Sequence, residues 1–334
     1  MNSRSEQGFV LAVTLWFLVV LTIAASYFAE RLTQARQLAQ QAQASWQAQL
    51  DFSSTRAEIL FRLATTPLTI YGLGPDYPHG IMLDNRPYQG VNDSLVRLQD
   101  NRGLLNLNVA EDDAVLRLLG MLEVPADMRG RMIDTLRDYM DEDNLKRLNG
   151  AEADEYRALN LPPPRNAKLL TPFEPQHIIG WRDVPRLWEN DRLPSLVAVG
   201  PSMAVNPNTA PIEVLATLPG VTKEIAQAII TRRQLAPFSN VAQITAMTGV
   251  PLQELFALKA VVVPSNATRV THSSPHVPWA LQYNVTLTPG SDQAPWRIDY
   301  YYKSRVIYPD DNIVKAPALP PRSTLAPALA TPVF

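Results

Sequence analysis

Cysteine is absent from the 334 residues. Its absence excludes disulfides, thiolate metal sites and thiol catalysis, and an exported protein tolerates the lack. Net charge is nearly absent too: 30 basic residues against 32 acidic ones leave −2. The two signs are mixed along the chain, so no global field favours nucleic acid or a membrane surface. Histidine is scarce, and the four present (His79, His177, His272, His276) fall in loop-like segments without metal-ligand spacing. No Gly-x-Ser-x-Gly elbow, phosphate-binding loop or Gly-x-Gly-x-x-Gly follows a strand pattern. The Ser and Asp residues read as turn and cap residues. The expectation is a protein that is not an enzyme and requires no cofactor.

One segment stands out against this mixed background. Phe9 to Ala29 (FVLAVTLWFLVVLTIAASYFA) carries no charge and, at about twenty residues, is long enough to span a bilayer as a helix. A short polar stretch ending in Gly8 precedes it. A secretory signal has its cleavage site after its apolar core; here the candidate junction, Gly8-Phe9, lies before it, so cutting there keeps the membrane helix in the mature chain. This arrangement resembles a type IV pilin-like leader, which a prepilin peptidase cuts on the cytoplasmic side before the new amine is methylated. A plain single-pass anchor accounts for the same residues without a role for Gly8. Charge counting does not settle topology, because Arg4 and the amine before the anchor face Arg31 and Arg36 after it.

The helical pattern continues. Glu30 to Ala64 has no glycine or proline before Pro67, and apolar residues recur at helical spacing through Leu32, Leu38, Trp46, Leu50, Ile59, Leu60 and Leu63. As one helix, Phe9 to Ala64 would be roughly 80 Å long. Thr65 to Pro87 breaks it with glycines and prolines, and two strand-like runs follow, Ile81 to Leu83 and Ser94 to Gln99.

Two later segments are alike. Asn106-Leu-Asn108-Val-Ala110 precedes a helical pattern with Val115, Leu116 and Leu118; Asn206-Pro-Asn208-Thr-Ala210 precedes one with Val214, Leu215 and Leu218. Asn suits such turns because its side chain satisfies exposed backbone amides. Each is followed by a turn and a second helix, Arg129 to Met140 and Glu224 to Arg233. They read as two related helical modules, with chance recurrence of a good capping sequence as the alternative. Leu218-Pro-Gly220-Val221 and the helices after it resemble a helix-hairpin-helix or SAM-like fold, with Pro237 to Val241 capping a further helix and Thr248-Gly249-Val250 turning into a last one. A strand pair, Leu281 to Leu287 and Trp296 to Ile307, is separated by Pro289-Gly290-Ser291. From Pro309 on, Pro, Ala and Thr dominate, and such a tail is expected to be disordered or extended.

Taken with Gln99 to Asn108 and Asn206 to Pro211, these parts make the chain, from residue 1 to about 307, similar to the K-type minor pseudopilins of type II secretion. The resemblance implies an α+β fold: a leader (1–8), a transmembrane helix (9–29), the periplasmic half of a pilin helix (30–66), a pilin-like α/β core (67–105 and 265–308), an all-helical insertion with two SAM-like modules (106–264) and a Pro-rich tail (309–334). It implies a Gram-negative inner-membrane anchor with a periplasmic C-terminal domain, prepilin peptidase as processing enzyme, I-type and J-type minor pseudopilins as partners at the tip of a short pseudopilus, and secreted cargo or the secretin as further contacts. Major pilins and pseudopilins carry Glu at the fifth mature residue. That residue here is Val13. A carboxylate in lipid is costly unless paired; it pairs with the amine of the subunit above, and a tip subunit has none above it. Val13 is also readable as one more apolar anchor residue. Ala24, Ala25 and Ser26 offer small surfaces for close helix approach.

The acidic run Asp138, Asp141, Glu142, Asp143, Glu152, Asp154 and Glu155 has two readings, a solvated loop or a hard-oxygen cation site suited to Ca²⁺. It lacks EF-hand spacing. Its likeness to the acidic loop of K-type pseudopilins implies calcium on Asp141, Asp143 and Glu152. The helix-hairpin-helix likeness raises a different function, a membrane-tethered DNA receptor. Lys223, Arg232 and Arg233 against Glu213 and Glu224 are few for a phosphate-binding face, so no nucleic-acid partner is expected.

Overall fold

The computed structural model describes residues 4–76, 79–250, 261–304 and 316–321. The chain divides into two compact units, Met1–Leu50 and Asp51–Phe334.

The first unit is helix from Arg4 onward, part of α1 (Arg4–Thr65). Among the described residues, α1 is the one helix long and apolar enough to cross a membrane. Phe9, Leu11, Trp16, Phe17, Leu21 and Phe28 are all more than half exposed, which is unfavourable in water and suited to hydrocarbon. The two threonine hydroxyls of the run are satisfied internally, Thr14 Oγ1 donating to the Leu11 carbonyl and Thr22 Oγ1 to that of Leu18.

The second unit holds the rest. After the short pair β1 (Leu68–Thr69) and β2 (Gly72–Leu73) come β3 (Asp84–Gln89), β4 (Leu95–Asp100) and β5 (Leu105–Asn106). A helical region follows, comprising α2 (Asp112–Met121), α3 (Ala126–Met140), α4 (Ala153–Ala158), α5 (Arg192–Leu196), β6 (Val197–Ala198), α6 (Ile212–Leu215), α7 (Lys223–Leu235) and α8 (Val241–Thr248). The chain then returns through β7 (Ala267–Ser273), β8 (Ala280–Leu287) and β9 (Trp296–Ser304). The main sheet is antiparallel, in the order β3-β4-β7-β8-β9. The helical region is therefore an excursion between two neighbouring strands, β4 and β7.

The two faces of this sheet differ in chemistry. On one face Val96, Leu98, Val270, Tyr283 and Val285 form a core with Ile59, Leu60 and Leu63 from the end of α1. The other face presents polar side chains that reach into the insertion. Arg269 donates to the carbonyls of Pro194 (2.7 Å) and Val197 (2.5 Å), and Gln99 Nε2 donates to that of Thr209 (3.1 Å). The join centres on Asp100, which is fully buried. Its Oδ1 accepts from Arg102 N–H, Ser265 N–H and Ser265 Oγ, and its Oδ2 accepts from Asn206 Nδ2 and Thr209 Oγ1, all between 2.8 and 3.1 Å. A buried carboxylate is tolerable when its lone pairs are this fully engaged.

Inside the insertion the two Asn segments perform the same task. Asn108 Nδ2 donates to the carbonyls of Leu169 and Val199 while its Oδ1 accepts from Leu169 N–H. Asn208 Nδ2 donates to the carbonyls of Phe238 and Val262 while its Oδ1 accepts from Phe238 N–H. Asn106 Oδ1 accepts from Asn108 N–H (3.1 Å), and Asn206 Oδ1 from Asn208 N–H (3.0 Å). Each segment thus clamps a passing strand-like loop in two places. The helices between share one core, which includes Leu118, Leu136, Trp181, Val214, Ile229 and Phe238. The turn after the first helix of each module needs a left-handed residue, supplied by Glu123 (φ 60°) in one and Gly220 (φ 75°) in the other.

Several expectations need correction. The insertion is not all-helical, because β5 and β6 pair in parallel, Leu105 with Val197 and Asn106 with Ala198. Ile81 to Leu83 is buried, but the strand proper starts at Asp84; Ile81 only bridges Leu73. β9 ends at Ser304. The cap expected within Pro237 to Val241 is present, Asn240 accepting from Gln243 N–H at the start of α8. A helix after Val250 lies outside the described residues. Of the tail, Ala316–Pro321 is extended and docked: Ala318 bridges Gln89 in parallel, Gln89 N–H donates to Pro317, and the buried Arg62 donates to the Pro320 carbonyl. Proline suits this role, since an edge lining needs acceptors more than donors.

Replacing Asn108 or Asn208 by Ala strands three buried backbone groups, so each substitution should cost about 2–4 kcal/mol in urea unfolding. Leu148→Ala, at a side chain 94% exposed, should change stability by less than about 0.5 kcal/mol in the same assay.

Candidate functional site

The acidic run folds into a tight loop between α3 and α4. Asp138 lies in the last turn of α3, Asp141 is its C-cap, and Glu152 is the N-cap of α4. The C-terminal end of a helix carries partial negative charge, so Asp138 and Asp141 sit where a carboxylate is least welcome and a cation most welcome.

One oxygen from each of Asp141, Asp143 and Glu152 falls within 4.8 Å of the others. Their surroundings leave them under-satisfied. Both carboxylate oxygens of Glu152, 5% exposed, and Oδ1 of Asp141 are buried without a hydrogen-bond partner among the described residues. Burial, followed by the charges of Asp138, Asp141, Asp143 and Glu155, pushes the Glu152 carboxyl up to about 7. Burial and then the neighbouring Asp143 and Asp138 likewise raise Asp141. Several neighbouring acids are engaged. Asp138 accepts from Arg147 N–H and Asp134 from Asn149 N–H and Nδ2, while Glu155 pairs with Lys146 at 2.6 Å. Gly150 is required here, because a Cβ would overlap the Asp138 carboxylate. The stranded oxygens of Glu152 and Asp141, with the exposed Asp143, whose Oδ1 accepts from Leu145 N–H, make a set of hard oxygen donors chemically suited to Ca²⁺.

The other sequence candidates are placed as follows. Gly8, Phe9 and Val13 lie in α1, Phe9 being 72% and Val13 37% exposed. The basic residues weighed as a phosphate-binding face do not form one. Arg233 is buried, with Nη1 donating to the carbonyls of Pro207 and Ala210, and burial lowers its guanidinium to about 10. Arg232 donates to the Ala236 carbonyl and lies 5.6 Å from the Phe238 ring centre. The role of Asp100 was not legible from sequence; its only signal was adjacency to the first Asn motif. Nor did any pattern mark Asn101 and Asn284, two amides with stranded oxygens.

The architecture defines a class: a pilin-like protein with a long apolar N-terminal helix, consistent with a membrane anchor, whose sheet is interrupted by a large helical excursion. Comparison makes this specific. Two profiles described as "Type II secretion system (T2SS), protein K" match residues 93–187 and 205–263. The fold is similar to that of a chain in the crystal structure of the GspK-GspI-GspJ complex from the enterotoxigenic Escherichia coli Type 2 Secretion System, with TM-score 0.54 and 17% identity over 81% of this chain and 99% of that one. No curated protein sequence matches. The chain belongs to the protein K family of the type II secretion system, the K-type minor pseudopilins.

In calcium-free buffer the folded state should lose stability as pH rises from 4.5 to about 7 and level off above that. Glu152 holds its proton to about 7 when folded against 4.5 ordinarily, so the folded chain binds more protons across that window. The loss should reach at most about 3 kcal/mol. Thermal unfolding against pH should show it, and Glu152→Gln should flatten it.

Proposed function

We propose that this protein caps the tip of a type II secretion pseudopilus as a structural, non-enzymatic subunit. The prepilin peptidase cuts between Gly8 and Phe9, and the new amine of Phe9 is methylated. Phe9 to Ala29 anchors the chain once through the inner membrane, with the remainder in the periplasm. Its partners are the I-type and J-type minor pseudopilins, and its head offers a surface to exported cargo or to the secretin. Family membership supports this reading. So does the company of the related chain in the solved GspK-GspI-GspJ complex, which is a property of that assembly.

The observation that carries the tip assignment is Val13. A subunit inside the filament shields a buried carboxylate by pairing it with the amine above. A chain with an apolar residue at that place asks nothing of a subunit above, while its own Phe9 amine stays available to the carboxylate of a subunit below. Calcium held by Asp141, Asp143 and Glu152 has a structural part here. It would neutralise the end of α3, fill the orphaned lone pairs and fix the loop between α3 and α4.

Two measurements test the proposal. Full-length chain co-expressed with I-type and J-type partners should purify from detergent as a ternary complex whose copy of this protein begins at methylated Phe9 by mass spectrometry. Recovery of this chain alone, starting at Met1 in a peptidase-positive host, would refute it. Val13→Glu places an unpaired carboxylate in the bilayer, at about 2–3 kcal/mol, and should reduce secretion several-fold; unchanged secretion counts against the tip position.

A further inference from the structure

A groove of about 570 Å³ lies between the sheet and the first module. One side is formed by Asn284 and Thr286 of β8 with Ile298 and Asp299 of β9; the facing side is formed by the loops 168–170 and 199–201. Two amide oxygens are stranded there. Asn284 Oδ1 and Asn101 Oδ1 are buried and accept no hydrogen bond among the described residues. Asn284 is 3% exposed. Its amide orientation follows from its neighbour, since Nδ2 donates to Asp299 Oδ2 at 2.8 Å, leaving Oδ1 turned toward something else. Asp299 is where it is because the β8–β9 register shifts between Asn284 and Val285, a bulge that re-aims one side chain.

The facing loops are held rigidly. Asn108 grips Leu169 and Val199, and Asn106 Nδ2 donates to the carbonyls of Gly200 and Ser202. The groove is therefore formed before any ligand arrives, which lowers the cost of binding. Its contents define the ligand. The stranded oxygens need N–H donors. Leu170, 58% exposed, with Val199 and Pro201, offers an apolar strip. Lys168, exposed and in no ion pair among the described residues, sets a positive charge at the rim. An extended polypeptide supplies all three complements: backbone N–H groups, alternating apolar side chains and a carboxylate. A saccharide fits less well, because Tyr300, the one aromatic residue lining the groove, already bonds Arg269 and stacks on Tyr302 at 5.9 Å.

We propose that this groove binds an extended polypeptide segment, with backbone N–H groups on Asn101 and Asn284 and a carboxylate against Lys168. The inference does not depend on the tip position. The test uses full-length protein in detergent micelles, screened on an array of random octapeptides with free C-termini and then titrated with fluorescein-labelled hits by anisotropy. Hits should be rich in apolar residues and end in, or carry, a carboxylate. Leu170→Asp and Lys168→Glu should each weaken them by about tenfold or more. Both side chains are exposed, so the variants keep the wild-type unfolding temperature; Asn284→Leu should weaken binding as well. Absence of hits, or hits that bind both surface variants as tightly as wild type, overturns the proposal. So does binding of a chitotetraose probe that these substitutions abolish while no peptide is retained, an outcome that makes the groove a saccharide site.

Discussion

A single buried carboxylate holds the two halves of the head together. Asp100 ends the central strand β4, and its five hydrogen bonds run to the turn that follows it, to the start of the second module and to the segment that leads back into β7. A long chain excursion between neighbouring strands pays a loop-closure cost and needs a point where exit and return are fixed together. Asp100 is that point. Being charged and wholly buried, it leaves no inexpensive alternative: removing its partners exposes an unpaired charge to a low-dielectric interior. The arrangement favours one pose of the insertion on the sheet over all others. Arg269 and Gln99 extend the same logic along the sheet face.

The acidic loop is the counterpart of this design. Asp100 has every lone pair engaged, whereas Glu152 and Asp141 keep buried oxygens without donors. The first arrangement is complete within the chain, and the second awaits a cation or a proton. That contrast gives physical content to the proposed calcium site. It also explains why burial and the surrounding carboxylates push the Glu152 carboxyl up to about 7. Under the proposed function both would serve the head, since a rigid joint and a loop locked by an ion would present fixed surfaces to partner subunits.

Much of this was readable in advance, and for identifiable reasons. The apolar run after Gly8 and the uninterrupted helix to Thr65 follow from composition alone. The paired Asn motifs were visible because the same clamp requires the same residues twice. Strand β7 was missed because its side chains are polar on both faces, Arg269 and Thr271 toward the insertion and Thr268 and His272 toward α1; the alternation that betrays a half-buried strand disappears when both neighbours are partly polar. Strand β3 was hidden by Pro87 and its irregular register, which belong to an edge strand. At the candidate cation site the residue types were legible, but the burial that makes Glu152 unusual arises from the fold of α3 against α4.

The most direct test of the joint is amide hydrogen exchange on the full chain, comparing wild type with Asp100→Ala. If Asp100 couples the two halves, protection should fall together at 206–209, at 265–270 and along β4, while α2 and α3, which pack in the insertion's core and not in that of the sheet, remain protected. Unchanged exchange at these segments, or loss confined to the residues next to position 100, would contradict the account.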